Sequence, residues 1–307
     1  MKSICSLNVA WLTIISMVPL AGHVSAAPPL PVHTVEGLGG GAITPMAYLD
    51  SPERLSGIFG RPTVTMTYVN MDRKNLNVVS VTETLADLVE LGYAANRLSL
   101  GSLPGDIRDA TTVDIDRSDV WLHHFNARVQ LLREGSYLGG LPMPAVTAGV
   151  QVKVNDGINE IDQKLGGALT GIGYRRSSGV DFALTASKMF QPGLLCNRPL
   201  ILTGGLRASQ GAQLGLFGFG DDYHGTFEGS VAYLPCDWLV LAYEFRQKPD
   251  PYAQIPGLIG NEDDWHALDA IFILGEQSAF TAGYGNFGTV ANSEQRGVWW
   301  LQLHYHF

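Results

Sequence analysis

Trp299-Trp300-Leu301-Gln302-Leu303-His304-Tyr305-His306-Phe307 closes the chain, and from Leu301 onward its apolar and polar residues alternate. Successive residues of a strand point to opposite faces. Trp299, Leu301, Leu303, Tyr305 and Phe307 therefore share one side, and Trp300, Gln302, His304 and His306 share the other. An apolar-faced strand that ends on an aromatic, behind an export signal, is the pattern expected of a bacterial outer-membrane β-barrel. In such a barrel the five apolar residues face lipid and also form the signal read by the barrel-assembly machinery.

The other end of the chain supports export. Lys2 provides a short positive region, residues 4–22 are largely apolar, and Val24-Ser25-Ala26 offers small residues for cleavage before Ala27. No other uninterrupted apolar run approaches the roughly 18 residues that a spanning helix needs. Cys5 sits at the beginning of the apolar stretch, which argues against a lipid-anchored cysteine. The 307 residues include 36 glycines and only 16% charged residues, so apolar side chains are spread through alternation instead of being gathered in runs. A net charge of −9 argues against a nucleic-acid partner, because a phosphate backbone calls for a positive surface.

Period-two segments bounded by turn residues follow one another from Thr63 onward. The clearest is 146–155, where Val146, Ala148, Val150, Val152 and Val154 oppose Thr147, Gly149, Gln151, Lys153 and Asn155. Similar alternation runs through Phe125, Ala127, Val129 and Leu131, through Leu200, Leu202 and Leu206, through Phe227, Val231 and Tyr233, and through Leu239, Leu241, Tyr243 and Phe245. Weaker segments are 64–70, 77–85, 88–98, 168–174, 182–188, 267–274 and 279–285. With the terminal strand these make about twelve or thirteen, and single-chain bacterial barrels have even numbers. The expectation is an all-β, antiparallel up-and-down transmembrane barrel of about twelve strands, within a range of roughly ten to fourteen. Residues 1–26 read as a signal peptide, 27–61 as a lumen plug or first strand, and 62–307 as the barrel.

Residues between the Leu98 and Trp121 regions, and between Gly211 and Gly225, read as long outward loops, whereas Leu234-Pro235-Cys236-Asp237 reads as a short periplasmic turn. A soluble sandwich also alternates, but it exposes its charged face. Here one face lacks charge across whole strands. Tyr68, Tyr93, Trp121, Tyr233, Trp238, Trp299 and Tyr305 lie near strand ends, where an aromatic girdle belongs. If the strands around 200 and 230 form one hairpin, Cys196 and Cys236 reach the same periplasmic rim, and a disulfide is expected there.

Chemistry is sparse. No Gly-x-Ser-x-Gly elbow occurs, and no Ser-His pairing falls on a lipid-facing surface, so no catalytic residues and no enzyme are expected. His123 and His124 are adjacent, hence on opposite faces, and His304 and His306 point inward as polar filling. Asn155-Asp156-Gly157-Ile158-Asn159-Glu160-Ile161-Asp162 lacks the spacing of a calcium loop and reads as a solvated turn. Gly218-Phe219-Gly220-Asp221-Asp222 and Gly260-Asn261-Glu262-Asp263-Asp264 read as further acidic turns, and no metal or cofactor is expected. Gly37-Leu38-Gly39-Gly40-Gly41-Ala42 lacks a flanking strand and helix, so it is no phosphate loop. It suits a segment crossing the barrel mouth or entering the first strand.

Parity turns Arg128, Lys153, Arg207 and Arg246 inward with Glu90, Glu228, Glu244, Asp269, Gln302 and His304. Mixed charge in a wet lumen acts either as a selectivity ladder or as a closing network. The chain further resembles domain-of-unknown-function family 3034 from about Gly37 to Phe307. The likeness rests on Gly39-Gly40-Gly41-Ala42-Ile43-Thr44-Pro45, Phe227-Glu228-Gly229-Ser230-Val231-Ala232-Tyr233-Leu234, Tyr243-Glu244-Phe245-Arg246-Gln247-Lys248-Pro249-Asp250, Glu262-Asp263-Asp264-Trp265 and Gln295-Arg296-Gly297. The resemblance implies an exported barrel and brings no activity or ligand with it. The leading expectation is a pore for small hydrophilic solutes. The alternatives are a structural or export-associated barrel with a plugged lumen and, third, a lipid-modifying enzyme.

Overall fold

Each alternating segment hydrogen-bonds to its neighbours in sequence, and the first strand pairs with the last, so the sheet closes on itself. The computed structural model describes residues 30–50, 57–138, 140–195 and 197–307. The expected signal peptide and Cys196 lie outside the described residues, and with Cys196 lies the expected disulfide. Twelve strands form the wall: β1 Thr63–Met71, β2 Lys74–Leu85, β3 Val89–Ser99, β4 Asp119–Leu132, β5 Ala145–Asp156, β6 Ser178–Leu195, β7 Arg198–Gly211, β8 Phe219–Cys236, β9 Leu239–Arg246, β10 Trp265–Ile273, β11 Ser278–Asn286 and β12 Val298–His306. All neighbours run antiparallel, and β1 meets β12 in an uninterrupted register from Thr63↔His306 to Asn70↔Trp299.

Closure gives the alternation its meaning. Leu301 and Leu303 are 42% and 59% exposed while Trp300 between its neighbours is 2% exposed, so the apolar face looks outward and the mixed face inward. The same outward face continues through Met66, Val79, Phe125, Phe182, Leu206, Leu241 and Leu268 around the whole wall. An apolar exterior on a closed sheet is the surface of a membrane-spanning barrel, because hydrocarbon accepts such a surface and water does not. Aromatic pairs stand on it, among them Tyr68 with Trp299 and Tyr93 with Phe125, ring centroids 5.6 and 5.3 Å apart.

Short hairpin turns and both ends of the wall gather at one rim, where the Phe307 amide donates to the Pro62 carbonyl at 3.1 Å. Ala86 and Asp87 turn there with φ of 53° and 55°, matching the right-handed twist of the flanking strands. Apart from 133–144, which stays at the first rim, the long connections lie at the opposite rim, where they fold into a cap built on α1 Leu103–Thr111, α2 Ile158–Lys164 and α3 Ala168–Ile172. Leu103, Ile107, Ile158, Ile161, Leu169 and Phe217 converge there around an apolar cavity of about 130 Å³. Lys248 lies 4.7 Å from the Trp265 ring centroid and 2.7 Å from Glu262 Oε2. Burial pushes its ammonium below the usual lysine range and the Glu262 carboxyl above its own.

The cap corrects three sequence expectations. Residues 168–174 hold α3 and not a strand, which leaves twelve of the thirteen candidates in the wall. The Asp162 carboxylate accepts the amides of Leu169 and Thr170 at 2.8 and 3.0 Å and the Thr170 hydroxyl at 2.6 Å, so the first helical turn is capped from outside. The expected solvated turn at 155–162 contains the start of α2, whose Ile158 and Ile161 are buried in the cap. Phe219-Gly220-Asp221-Asp222 belongs to β8, which begins earlier than expected, and the connection before it is only 212–218. At the other rim β8 runs on to Cys236, with a register shift between Tyr233 and Cys236 that accommodates Pro235.

The outward face supports a direct test. Leu268 is 59% exposed at the middle of β10, so Leu268→Arg is expected to cost about 2–4 kcal/mol in urea titrations of the protein folded into phospholipid vesicles. An unchanged unfolding midpoint would place that face away from lipid.

Candidate functional site

Twelve tilted strands enclose more space than their own inward side chains fill. Here residues 30–50 thread that space, every one of them buried except the half-buried Pro31. The segment has no strand or helix of its own, so its backbone groups are satisfied by short turns and by the wall.

Glu36 is its electrostatic centre. Its carboxylate lies 2.6 Å from Lys153 Nζ, 2.6 Å from Arg246 Nη1 and 3.3 Å from Arg207 Nη2. Lys153 also bonds Asp181 at 2.5 Å, and Arg207 approaches Glu228 at 3.2 Å. Glu36, Asp181 and Glu228 thus balance Lys153, Arg207 and Arg246, in a region where an unpaired charge would be costly. Arg207 also bonds Gln151, whose amide reaches Asn126 at 2.9 Å, and Asn126 in turn donates to the carbonyls of Glu36 and Gly37.

Beside this cluster the glycine run wraps a second carboxylate. The amides of Ala42, Ile43 and Thr44 donate to Glu244 at 2.7, 3.1 and 2.6 Å, joined by the Thr44 hydroxyl. Consecutive amides turned to one point make an anion-binding concavity, and its anion is the protein's own wall. Gly41 is required by this approach, because a Cβ there would collide with the Glu244 carboxyl group.

Further along, Glu90 pairs with Arg128 through two bonds of 2.7 and 2.6 Å and accepts the Asp50 amide at 2.7 Å. Arg128 also donates to the carbonyls of Met46 and Tyr48. Apolar contacts supplement these bonds, with Val32, Met46 and Ala47 packed against Ile201, Val240 and Ile271. At the capped rim, residues 212–218 also fold inward, all buried. Gln213 and Leu214 take left-handed φ of 45° and 64° there, a strained conformation. It is held by Glu262 on the Gln213 amide and Lys153 on the Leu214 carbonyl.

Every inward candidate from the sequence lies on the lumen side of this arrangement. Asp269 accepts the Trp300 indole N–H at 2.9 Å, and that indole occupies the space above Gly283, where any Cβ would strike it. Gln302 donates to the His33 carbonyl and accepts the His33 amide. His304 lies near His33, ring centroids 5.3 Å apart. Trp299, Leu301, Leu303, Tyr305 and Phe307 all stand on the outer face.

Sequence reasoning missed Glu36, His33, Asp50 and Asp181. Asp181 carries a readable signal, since parity opposes it to the outward Phe182, but the expected strand began one residue too late. The other three sit in a segment without periodicity. Two of them, His33 and Asp50, complete a chain in which Ser80 Oγ lies 2.9 Å from His33 Nδ1, and His33 Nε2 lies 2.9 Å from Asp50 Oδ2. Its order resembles a hydrolytic triad. All three side chains are almost fully buried and Thr65 Oγ1 already sits 2.5 Å from Ser80 Oγ, so no face is left for a substrate carbonyl. The chain works as a polar strut.

Among solved structures the barrel is similar to the KdgM porin at 9% identity and a TM-score of 0.47, covering 80% of this chain and 99% of that one. It is also similar to the COG4313 outer membrane channel from Pseudomonas putida F1, at 12% identity, a TM-score of 0.46, and 86% and 100% coverage. Outer membrane phospholipase A from Escherichia coli aligns at 7% identity and a TM-score of 0.35 over 80% and 91%. Likenesses this distant say nothing of what crosses the membrane or what is catalysed. No curated protein matches the sequence. A family model does match, over residues 31–304, and the chain belongs to that family, described as a protein of unknown function, DUF3034.

Proposed function

We propose that the chain is a non-enzymatic outer-membrane pore for small hydrophilic solutes, closed by its own residues 30–50 and conducting when that segment withdraws. The observation that carries this reading is Glu36, bonded to Lys153, Arg207 and Arg246 of the wall. A lumen filled only for support gains more from apolar packing than from buried ion pairs, whose desolvation offsets much of their attraction. A charged wall, by contrast, is compatible with two states. With the segment in place each charge has a protein partner, and with the segment gone water solvates the same groups. The terminal strand delivers the barrel to the assembly machinery, and its outer face meets lipid.

The apolar contacts of Val32, Met46 and Ala47 favour a second reading, a permanently sealed structural or export-associated barrel. Conductance separates the two. Removing one partner of a buried charge network costs about 3–5 kcal/mol, so Glu36→Gln is expected to loosen the segment and raise conductance in planar bilayers several-fold over the wild type. Gly41→Val, which drives a side chain into the Glu244 carboxylate, is expected to do the same. Folded variants that stay as silent as the wild type would support the sealed barrel.

Charge on the wall sets the expected selectivity. Without the segment, Arg128, Lys153, Arg207 and Arg246 face Glu90, Asp181, Glu228, Glu244 and Asp269, an almost balanced set. Reversal potentials of the opened Gly41→Val pore in a salt gradient are expected to lie near zero. A strong preference for anions or cations would contradict this account of the lumen.

A further inference from the structure

His304 and His306 are two residues apart on β12, so both imidazoles lie on the inner face, with their Nε2 atoms 2.9 Å from each other. The last described residue of the threaded segment, Asp50, arrives at the same place. One carboxylate oxygen of Asp50 and one ring nitrogen from each histidine lie within 4.8 Å of one another. The surroundings are saturated with hydrogen bonds. Thr63 Oγ1 holds His306 Nδ1 at 2.8 Å, and His33 and Thr82 both bond Asp50 Oδ2, at 2.9 and 2.6 Å. Within this bonded shell two fully buried atoms have no partner, Asp50 Oδ1 and His304 Nδ1. A fully buried carboxylate oxygen without a partner is costly unless a cation or donor reaches it.

From this geometry we infer that Asp50, His304 and His306 form a binding site for one divalent transition-metal ion, with water completing its coordination. Two imidazole nitrogens and one carboxylate suit zinc, copper or nickel, whereas calcium and magnesium call for all-oxygen shells. Donors around a tetrahedral zinc lie about 3.4 Å apart for bonds near 2.1 Å. That spacing is close to the one the three groups already have, since the two histidine Nε2 atoms stand 2.9 Å apart and the Asp50 oxygen lies within 4.8 Å. His33 supplies outer-shell support by fixing the second Asp50 oxygen, as partners of metal-ligating groups commonly do. The site lies at the rim where Phe307 bonds Pro62, and half-buried His306 gives the ion a route in from that side. Metal here cross-links the threaded segment to the last strand. Binding does not require that the lumen conduct.

The test uses the full mature chain, without an affinity tag, folded in detergent micelles and stripped with a chelator. Zinc titrated by calorimetry is expected to bind once per chain and to raise Tm by several degrees, and cobalt is expected to develop the visible absorption of a low-coordinate N/O site. Asp50→Asn and His306→Ala are expected to abolish both signals, while His266→Ala on the outer face leaves them intact. If Asp50→Asn does not fold, His306→Ala, at a half-buried position, decides alone. Absence of saturable one-to-one binding in the wild type would overturn the inference, as would binding of equal strength in the folded His306→Ala protein.

Discussion

Hydrocarbon offers no hydrogen-bond partner to a peptide group, and the pairing of β1 with β12 is where this protein meets that constraint. An open sheet would leave two rows of amides and carbonyls facing lipid; closing it leaves none. Closure also determines what each side chain is for. Once the ring is complete, period-two alternation divides every strand into an outer row that must be apolar and an inner row that need not be. The inner row is then free to carry charge, and five carboxylates, one lysine and three arginines of the wall between Glu90 and Asp269 use that freedom. Closure creates a second problem at the same time, a lumen too wide for its own side chains. Residues 30–50 and 212–218 occupy it.

The two segments are held by different physics. Residues 212–218 belong to the cap, where Leu103, Ile107, Ile158 and Phe217 pack around an apolar cavity and water has little to offer the exposed surfaces. Residues 30–50 add charge and backbone hydrogen bonds to their apolar contacts, with Glu36 among three cations and Glu244 in the cradle of three amides. Opening an apolar contact exposes surface at about 25 cal/mol per Å². Opening a buried ion pair returns two charges to water, which recovers much of the desolvation lost on closing. The charged contacts of the threaded segment are therefore the part of the interior that water can replace at least cost.

The wall was legible in the sequence because a strand's two faces see two different solvents, and Val146 to Val154 or Leu301 to Phe307 record that difference residue by residue. The same parity points Arg128, Lys153, Arg207 and Arg246 inward without knowledge of any partner. What the sequence hides is what those charges meet. Glu36, His33 and Asp50 lie in a segment whose backbone follows no repeating geometry, so no spacing rule connects them to residues more than a hundred positions away. The glycine run was visible, but its purpose was not, since the reason for Gly41 is the Glu244 carboxyl group pressed against it. Residues 168–174 misled for a related reason. Over so few residues an alternating pattern and a helical turn are alike, and only the Asp162 carboxylate on the Leu169 and Thr170 amides separates them.

Chain connectivity gives the interior a direction. The threaded segment leads into β1 at the rim where Pro62 and Phe307 meet, and it lies between that attachment and the apolar cap at the far rim. A segment leaving towards the cap would have to open the packing of α1, α2 and α3. A segment leaving towards its own attachment has to give up its polar contacts and the apolar ones of Val32, Met46 and Ala47 at the wall and of Val35, Ala42 and Ile43 in the cluster shared with the cap. Asp50 stands on that route beside His304 and His306, at the end of the described part of the segment. In the proposed opening the contacts made there release before those of Glu36, because a tethered chain drawn from one end releases its bonds in order from that end.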